Sequence, residues 1–97
     1  MPSTRSTAQR KSRPFKNAVG PAVRRLRNER GWTQLDFAAK LQVLGWNRCT
    51  RSWLSRVEAQ VVAVRDYELA YFCKALRTPL SELFPSFEPQ EIDPGFQ

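Results

Sequence analysis

Apolar residues recur at helical spacing along much of this chain, most clearly in its first half. One stripe consists of Phe37, Ala38, Leu41 and Leu44. Residues at this spacing share one face of an α-helix. Thr33 and Asp36 come just before the stripe and approximate a capping box, with Asp where Glu or Gln is usual. The pattern therefore predicts a helix that starts at Thr33 and covers residues 33–44.

A second amphipathic helix is predicted over residues 50–59. The hydroxyl of Thr50 can accept an unpaired backbone N–H of the first turn, which makes this residue a suitable N-cap. Leu54 and Val57 stand three residues apart and share one face. Polar side chains point away from that face; they are Arg51, Ser52, Ser55 and Arg56. Two apolar residues therefore anchor the helix, and arginine and hydroxyl groups face outward.

Further helices are predicted before and after this pair. Helix 1 is expected over residues 18–30, with Pro21 tolerated in its first turn. Gly31 can adopt a positive φ and close this helix. A fourth helix is expected over residues 66–76, where the early carboxylate of Glu68 suits the positive end of the helix dipole.

The last predicted element is a fifth helix. It begins at Thr78, with Pro79 at the first helical position, and stops before Pro85. The apolar run at residues 61–64 is either a buried loop or a short extended piece. The expected fold class is therefore all-α.

Charge divides the chain into three parts. Residues 1–16, here called the basic arm, hold five basic side chains and no acidic one, and are predicted to be disordered. Residues 17–84 hold eleven basic and six acidic side chains and form the predicted helical domain. Residues 85–97, the acidic segment, hold three acidic side chains, no basic one and three prolines. The net charge of +7 favours a polyanionic partner.

The residue types present argue against catalysis and metal binding. The chain has no histidine and only two cysteines, Cys49 and Cys73, whereas a structural zinc site takes four ligands. Both cysteines fall at apolar positions expected to face other helices, which favours buried, reduced thiols over a disulfide. No Gly-rich phosphate loop is present, so neither an enzyme nor a cofactor is expected.

The hydropathy pattern argues against a membrane protein. No run of about eighteen apolar residues exists that would span a bilayer. The N-terminus lacks the apolar core of a signal peptide, so a cytoplasmic protein is expected.

Two capped helices in succession, the second rich in arginine, form a helix-turn-helix candidate. The residues resemble Xre-type, Cro/phage-repressor-like DNA-binding domains. The matching motifs in the first half are Val23-Arg24-Arg25-Leu26-Arg27, Gly31-Trp32-Thr33-Gln34, Phe37-Ala38 and Leu41, and those in the second half are Leu54-Ser55-Arg56-Val57-Glu58, Tyr67-Glu68-Leu69, Lys74-Ala75-Leu76 and Ser81-Glu82-Leu83-Phe84. The resemblance covers residues 18–84. It implies a five-helix, sequence-specific DNA-binding domain that commonly works as a homodimer, with the helix-turn-helix at helices 2 and 3.

The resemblance also implies roles for individual residues. The expected DNA-binding set is Thr33, Gln34, Thr50, Arg51, Ser52, Ser55 and Arg56. Within it, Arg51, Ser52 and Arg56 match base-reading positions, and Gln34 matches a phosphate contact at the start of helix 2. Ordinary surface residues are the alternative for each, with Gln34 only an exposed capping residue. Arg27 and Glu58 match a pair that joins helix 1 to the end of the recognition helix, and a partly buried ion pair is expected there.

Two segments depart from the family's pattern. Residues 42–49 are longer than the usual tight turn, so helix 2 is expected to gain a turn, with Gly45 as its cap and Trp46 folded onto the core. Trp53 is expected to pack on Trp46, although contact with DNA is the alternative. After Glu58 no basic residue occurs before Arg65. If DNA is bound, the basic arm is therefore expected to supply phosphate contacts.

Three functions fit these features. The leading one is a bacterial or phage transcriptional regulator, a repressor in the simplest case, that binds an operator in double-stranded DNA. The second is the DNA-binding antitoxin of a toxin–antitoxin pair, with a protein toxin as partner. The third is a helix-turn-helix interaction module that does not read DNA.

Some residues are predicted for burial or for assembly. Leu26, Trp32 and Phe37 are expected in the core. Homodimerisation is expected through exposed apolar residues at the end of the fold, namely Leu80, Leu83, Phe84 and Phe87.

Overall fold

The computed structural model describes residues 15–84. Its helices are α1 (Gly20–Glu29), α2 (Gln34–Val43), α3 (Arg51–Glu58), α4 (Asp66–Leu76) and a short 3-10 helix (Leu80–Leu83). No strand occurs within the described range, and none of its helices is long and apolar enough to cross a bilayer. The expectations for residues 1–14 of the basic arm and for the acidic segment, including Phe87, lie outside the described residues.

The starts of α2 and α3 confirm the predicted caps. The Thr33 hydroxyl accepts the backbone N–H of Asp36 at 3.0 Å, and the Asp36 carboxylate accepts the backbone N–H of Thr33 at 2.9 Å. This reciprocal pair is a capping box. The Thr50 hydroxyl likewise accepts the backbone N–H of Trp53 at 3.1 Å. Both helices therefore begin where their hydroxyl residues predict.

The ends of α1 and α2 are closed as the sequence predicts. Gly31 has φ +74° and Gly45 has φ +112°, which are conformations that favour glycine. Past Gly45, the backbone N–H of Trp46 donates to the Leu41 carbonyl at 3.0 Å. The long segment between α2 and α3 therefore turns back on the helix it leaves.

Helix α1 begins two residues later than the prediction of residue 18. The side-chain oxygen of Asn17 accepts the backbone N–H groups of Val19 at 3.1 Å and Gly20 at 2.8 Å. The side chain thereby satisfies N–H groups that have no partner within the helix, and the regular helix starts at Gly20. Pro21 falls in the first turn, as predicted.

The prediction of a fifth α-helix from Thr78 is wrong. Only a single turn of 3-10 helix forms, from Leu80 to Leu83. Pro79 stands outside it in an extended conformation, with φ −71° and ψ 158°. Phe84 is also extended, with ψ 140°, because a residue that precedes a proline is disfavoured in the helical region. Too few residues lie between Pro79 and Pro85 for an α-helix.

One core joins all five helical elements, with α3 packed against both α1 and α2. Its largest fully buried side chains are Phe37, Leu41, Leu54, Phe72, Leu76 and Leu83. The burial of Phe37 and Leu26 confirms their prediction as core residues. Trp32, the third predicted core residue, instead lies half-buried at the edge of the core. The ammonium of Lys40 lies over one face of its ring, 4.7 Å from the ring centroid.

Burial of Leu83 corrects the predicted dimer surface. Its side chain is fully buried, so it is unavailable to a partner, whereas Leu80 and Phe84 are exposed. The short 3-10 turn points Leu83 inward and leaves its neighbours outside. The run at residues 61–64 forms an irregular loop in which Val62 and Val64 are half-buried.

The two cysteines are free thiols in different surroundings. Cys49 is fully buried, but in the loop before α3 rather than in a helix. Cys73 lies on α4 and is only half-buried, so the prediction of buried thiols is confirmed for Cys49 and wrong for Cys73. Desolvation raises the pKa of Cys49 to about 12, and burial also raises the pKa of Cys73.

Candidate nucleic-acid interface

Helix α3 has one face in the core and one in solvent. Leu54 and Val57 are fully buried and fix the helix in place. The side chains of Arg51, Ser52 and Arg56 are exposed on the outside. This division follows from helical periodicity, because residues 54 and 57 share one face of the helix and residues 51, 52 and 56 lie outside that face.

The exposed residues of α3 differ in how they are held. The guanidinium of Arg56 donates to the Ser52 hydroxyl at 3.2 Å, which orients both side chains and leaves the hydroxyl proton free to donate. The side chain of Arg51 has no hydrogen bond or ion pair with another residue of the range 15–84. Ser55 is half-buried and is less available than the other three. Arg51 is thus the side chain of this face with the most freedom to meet a ligand.

The N-terminal end of α3 suits an acceptor or an anion. It has no acidic residue in its first turn, so the positive end of the helix dipole is not neutralised there. Arg48 and Arg51 are exposed beside it. Thr50 uses one acceptor site for the cap and retains its hydroxyl proton. A phosphate or a base edge would find donors here.

The N-terminal end of α2 is less suited to a phosphate. Asp36 lies in its first turn, and the hydrogen bond from the Thr33 backbone N–H holds the pKa of that carboxylate below its ordinary value. Its negative charge opposes an anion at this end. The Gln34 side-chain amide is directed elsewhere, because it donates to Glu58 Oε1 at 3.0 Å.

Glu58, at the last turn of α3, is the centre of a buried polar cluster. Its carboxylate accepts from Arg27 Nε at 2.7 Å and from Arg27 Nη2 at 3.0 Å. The Glu58 side chain is completely buried, and that of Arg27 is 11% exposed. The hydrogen bond to Glu58 raises the pKa of Arg27. Arg27 Nη1 also donates to the Trp32 carbonyl at 2.8 Å, so one guanidinium joins α1, the turn after it and α3.

The sequence model of the helix-turn-helix domain matches residues 18–83. The chain belongs to the helix-turn-helix domain family. No curated protein and no solved structure matches it. Membership in this family indicates DNA binding. In this helix-turn-helix domain α2 and α3 are consecutive helices that pack against each other, as the motif requires.

The long connection in this helix-turn-helix domain is held by aromatic packing. Trp46 is 5% exposed, and its ring meets that of Trp53 edge to face with centroids 4.9 Å apart. Trp46 also packs against the rings of Tyr71 and Phe72 on α4, at 5.6 and 5.2 Å. The predicted packing of Trp53 on Trp46 is therefore confirmed. Trp53 is half-buried and belongs to the support of α3.

A cluster that the sequence did not predict ties the start of the domain to the C-terminal end of α3. The side-chain amide of Asn17 donates to the carbonyls of Val57 at 3.1 Å and Val62 at 2.8 Å. The Lys16 backbone N–H donates to the Gln60 carbonyl at 2.9 Å, and the Gln60 side chain donates to the Asn17 carbonyl at 3.0 Å. We call this set of contacts the Asn17 clasp. An Asn just before a helix start is a capping signal, but no sequence pattern predicts its contacts with Val57 and Val62.

The Asn17 clasp requires two unusual backbone positions. A Cβ on Gly20 would lie 2.5 Å from the Val57 carbonyl oxygen, so only glycine permits this approach of α1 to α3. Gln60 adopts a left-handed conformation with φ +65°, which costs a residue with a side chain about 1–2 kcal/mol. The bond from its side chain to Asn17 offsets part of that cost.

No basic side chain occurs in the loop at residues 59–64, and Arg65 donates to the Tyr67 hydroxyl at 3.3 Å. The described residues also contain no group of three or more His, Cys, Asp or Glu side chains that could hold a metal ion. Within residues 47–64 the basic side chains are therefore Arg48, Arg51 and Arg56, at the N-terminal end and on the outer face of α3.

Proposed function

We propose that this helix-turn-helix domain is an Xre-type transcriptional regulator that binds operator DNA sequence-specifically and without catalysis. One observation carries the proposal. Every ionised group on the outer face of α3 is a cation, since the only acidic residue of α3, Glu58, is buried against Arg27. The face is therefore complementary to the negative potential and acceptor groups of a DNA major groove.

Arg51 is the proposed base-reading residue. It lies in the first turn of α3, and recognition helices usually present their N-terminal residues to base edges. A free guanidinium there can form a bidentate pair with guanine O6 and N7. Ser52 and Arg56 act as a pair at an adjacent base or phosphate, because the hydrogen bond between them limits their rotamers.

Phosphate contacts are assigned to Thr50, Arg48 and the basic arm. Ser55 and Thr33 would lie closer to the DNA backbone than to the bases, and their hydroxyls would at most contact phosphates. Gln34 would have to leave Glu58 before its side chain could bind a phosphate. The Asn17 clasp brings Lys16 to the C-terminal end of α3, so the basic arm starts beside the cation-poor loop and can supply the charge it lacks.

The regulator is proposed to act as a homodimeric repressor in the cytoplasm. Leu80 and Phe84 are 50% and 39% exposed at the end of the described chain, and exposed apolar side chains of this kind mark interfaces. A two-fold dimer would place its two α3 helices about 34 Å apart, one turn of B-DNA. Sedimentation should show dimers at tens of micromolar or on DNA, and Leu80→Ser should weaken them; a strict monomer under both conditions would contradict this part.

The two alternatives are judged by different observations. A DNA-binding antitoxin would differ from the proposed regulator only in having a toxin as protein partner. A toxin gene adjacent to the gene of this chain would favour the antitoxin. An exposed Trp53 would favour the interaction module that does not read DNA, yet that ring packs on Trp46.

A salt titration with random-sequence duplexes distinguishes DNA binding from the interaction module. For a DNA binder, the logarithm of the association constant falls linearly with log[salt], with a slope of about −0.9 per neutralised phosphate. We expect such a slope for several phosphates. No detectable duplex binding at low salt would refute the proposed function.

A further inference from the structure

An open groove lies between α2 and the C-terminal end of α4, with a volume of about 900 Å³. Apolar side chains make up part of its lining; they include Trp32, Ala39, Val43, Leu44 and Ala75. Val43 is 87% exposed, the most exposed large hydrophobic residue within residues 15–84. The groove is thus apolar surface that the described domain leaves uncovered.

The rim of this groove is strongly basic. It carries Arg30, Lys40, Lys74 and Arg77, against a single acid, Asp36. The carboxylate of Asp36 is occupied by the capping box of α2. The side chains of Lys74 and Arg77 have no hydrogen bond or ion pair with another residue of the described range. An occupant of this groove should therefore combine apolar and acidic side chains.

The chain itself contains a segment with this chemistry. The acidic segment directly follows Phe84 and places large apolar residues, Phe87, Ile92 and Phe96, among its acids, Glu88, Glu91 and Asp93. It has no basic residue to oppose the basic rim. Fully extended, thirteen residues span up to roughly 45 Å. A compact domain of about seventy residues has a radius of gyration of roughly 11 Å, so every part of its surface is within reach.

We propose that the acidic segment of each chain docks into the groove of the same chain. Its aromatic and aliphatic side chains cover Val43 and the exposed side of Trp32, and its carboxylates face Lys40, Lys74 and Arg77. The occupant is the chain's own segment, because the covalent link at Phe84 gives it a high local concentration that a free partner lacks. Docking would bury the apolar surface that α2 exposes.

Paramagnetic broadening in the full chain tests the proposal. A nitroxide is attached to a cysteine introduced by Gln97→Cys. Cys73, which is half-buried, is replaced by Ala so that it does not react, and Cys49 is kept because it is fully buried. We expect loss of the amide signals of Lys40 and Ala75 and of the indole N–H signal of Trp32. The signals of Arg51 and Arg56, away from the groove, should persist.

Charge variants of the same labelled chain supply the controls. Replacing Glu88, Glu91 and Asp93 by Gln, Gln and Asn should restore the groove signals, and so should Lys74→Glu. Arg48→Glu is the matched control, because Arg48 is an exposed cation that does not line the groove; it should leave the broadening unchanged.

A mixed sample identifies whose segment is bound. ¹⁵N-labelled chain without nitroxide is mixed with unlabelled chain that carries it. Groove signals that vanish in this mixture show a second copy's segment and overturn the proposal. Groove signals that survive in the singly labelled chain, or broadening that persists after the acids are neutralised, overturn it as well.

Discussion

Arg27 and Glu58 stand 31 positions apart in the sequence and meet through two hydrogen bonds of 2.7 and 3.0 Å. The contact joins α1 to the last turn of α3, so it holds α3 in place against α1. It also removes the one negative charge of α3 from the surface. A single buried pair therefore supports both the position and the charge of the proposed DNA-binding face.

Removing one partner of this pair should destabilise the domain strongly. Arg27→Ala leaves the Glu58 carboxylate buried with only Gln34 Nε2 and the more distant, exposed Arg24 nearby, and loss of a partner in a buried pair costs about 3–5 kcal/mol. The matched control is Arg25→Ala, which breaks the exposed Arg25–Glu29 pair at 3.3 Å and should cost less than about 1 kcal/mol. Urea denaturation measures both. Equal losses in the two variants would contradict the assigned role of the buried pair.

The Asn17 clasp gives a second stability prediction. Asn17→Ala removes the cap of α1 together with the bonds to the buried Val57 and the half-buried Val62 carbonyls, so we expect a loss of about 2–4 kcal/mol. Gln60→Gly removes one hydrogen bond but relieves the strain of φ +65°, so it should change the free energy of unfolding by less than about 1 kcal/mol. A destabilised Gln60→Gly beside an unaffected Asn17→Ala would reverse this ranking.

Burial of Cys49 predicts a loss of stability in alkali. Its pKa is raised from 9.0 to about 12 in the folded chain. Between these values the unfolded chain has lost the thiol proton and the folded chain has kept it, so stability falls as pH rises. The fall is at most about 1.4 kcal/mol per pH unit for one group. Urea denaturation from pH 8 to 10.5 should show a steeper decline for the natural chain than for Cys49→Ala, and parallel curves would refute the prediction.

The basic arm should contribute affinity without sequence preference. Replacing Arg5, Arg10, Lys11 and Arg13 by Gln keeps Lys16 and Asn17 in the clasp and removes four cations. Binding to all duplexes should weaken to a similar degree, and the salt slope should become shallower by about 0.9 for each phosphate that is no longer neutralised. Binding titrations at several salt concentrations measure the effect. A loss of sequence preference with an unchanged slope would instead make the arm a reader of bases.

Local signals in the sequence predict much of this fold. The spacing of Thr33 and Asp36, and the hydroxyl of Thr50, fix where α2 and α3 begin, because capping depends on residues within one turn. The prediction of a fifth α-helix was wrong for an equally local reason, because the positions of Pro79 and Pro85 leave room for one turn only. A proline at a first helical position favours a helix start, but here the proline that follows limits the helix more strongly.

Contacts between distant residues could be predicted only where a motif carried them. The pairing of Arg27 with Glu58 came from the resemblance, whereas the Asn17–Gln60 contact spans 43 residues and has no motif. The side-chain amide of Gln34 also donates a hydrogen bond to Glu58, and no local sequence pattern predicts this contact. The groove between α2 and α4 depends on how two helices cross, so its basic rim becomes visible only in three dimensions.

Selection of bound duplexes from a random DNA library tests the central claim most directly. The natural chain should select two related half-sites whose centres lie about one helical turn apart. Arg51→Ala should flatten the preference at one base pair of each half-site and cost about 1–3 kcal/mol on the preferred sequence, while Arg25→Ala, an exposed cation on α1, should leave the selected sequence unchanged. A library that emerges unenriched, or an Arg51→Ala chain that selects the same sequence as the natural one, would contradict the reading of DNA by α3.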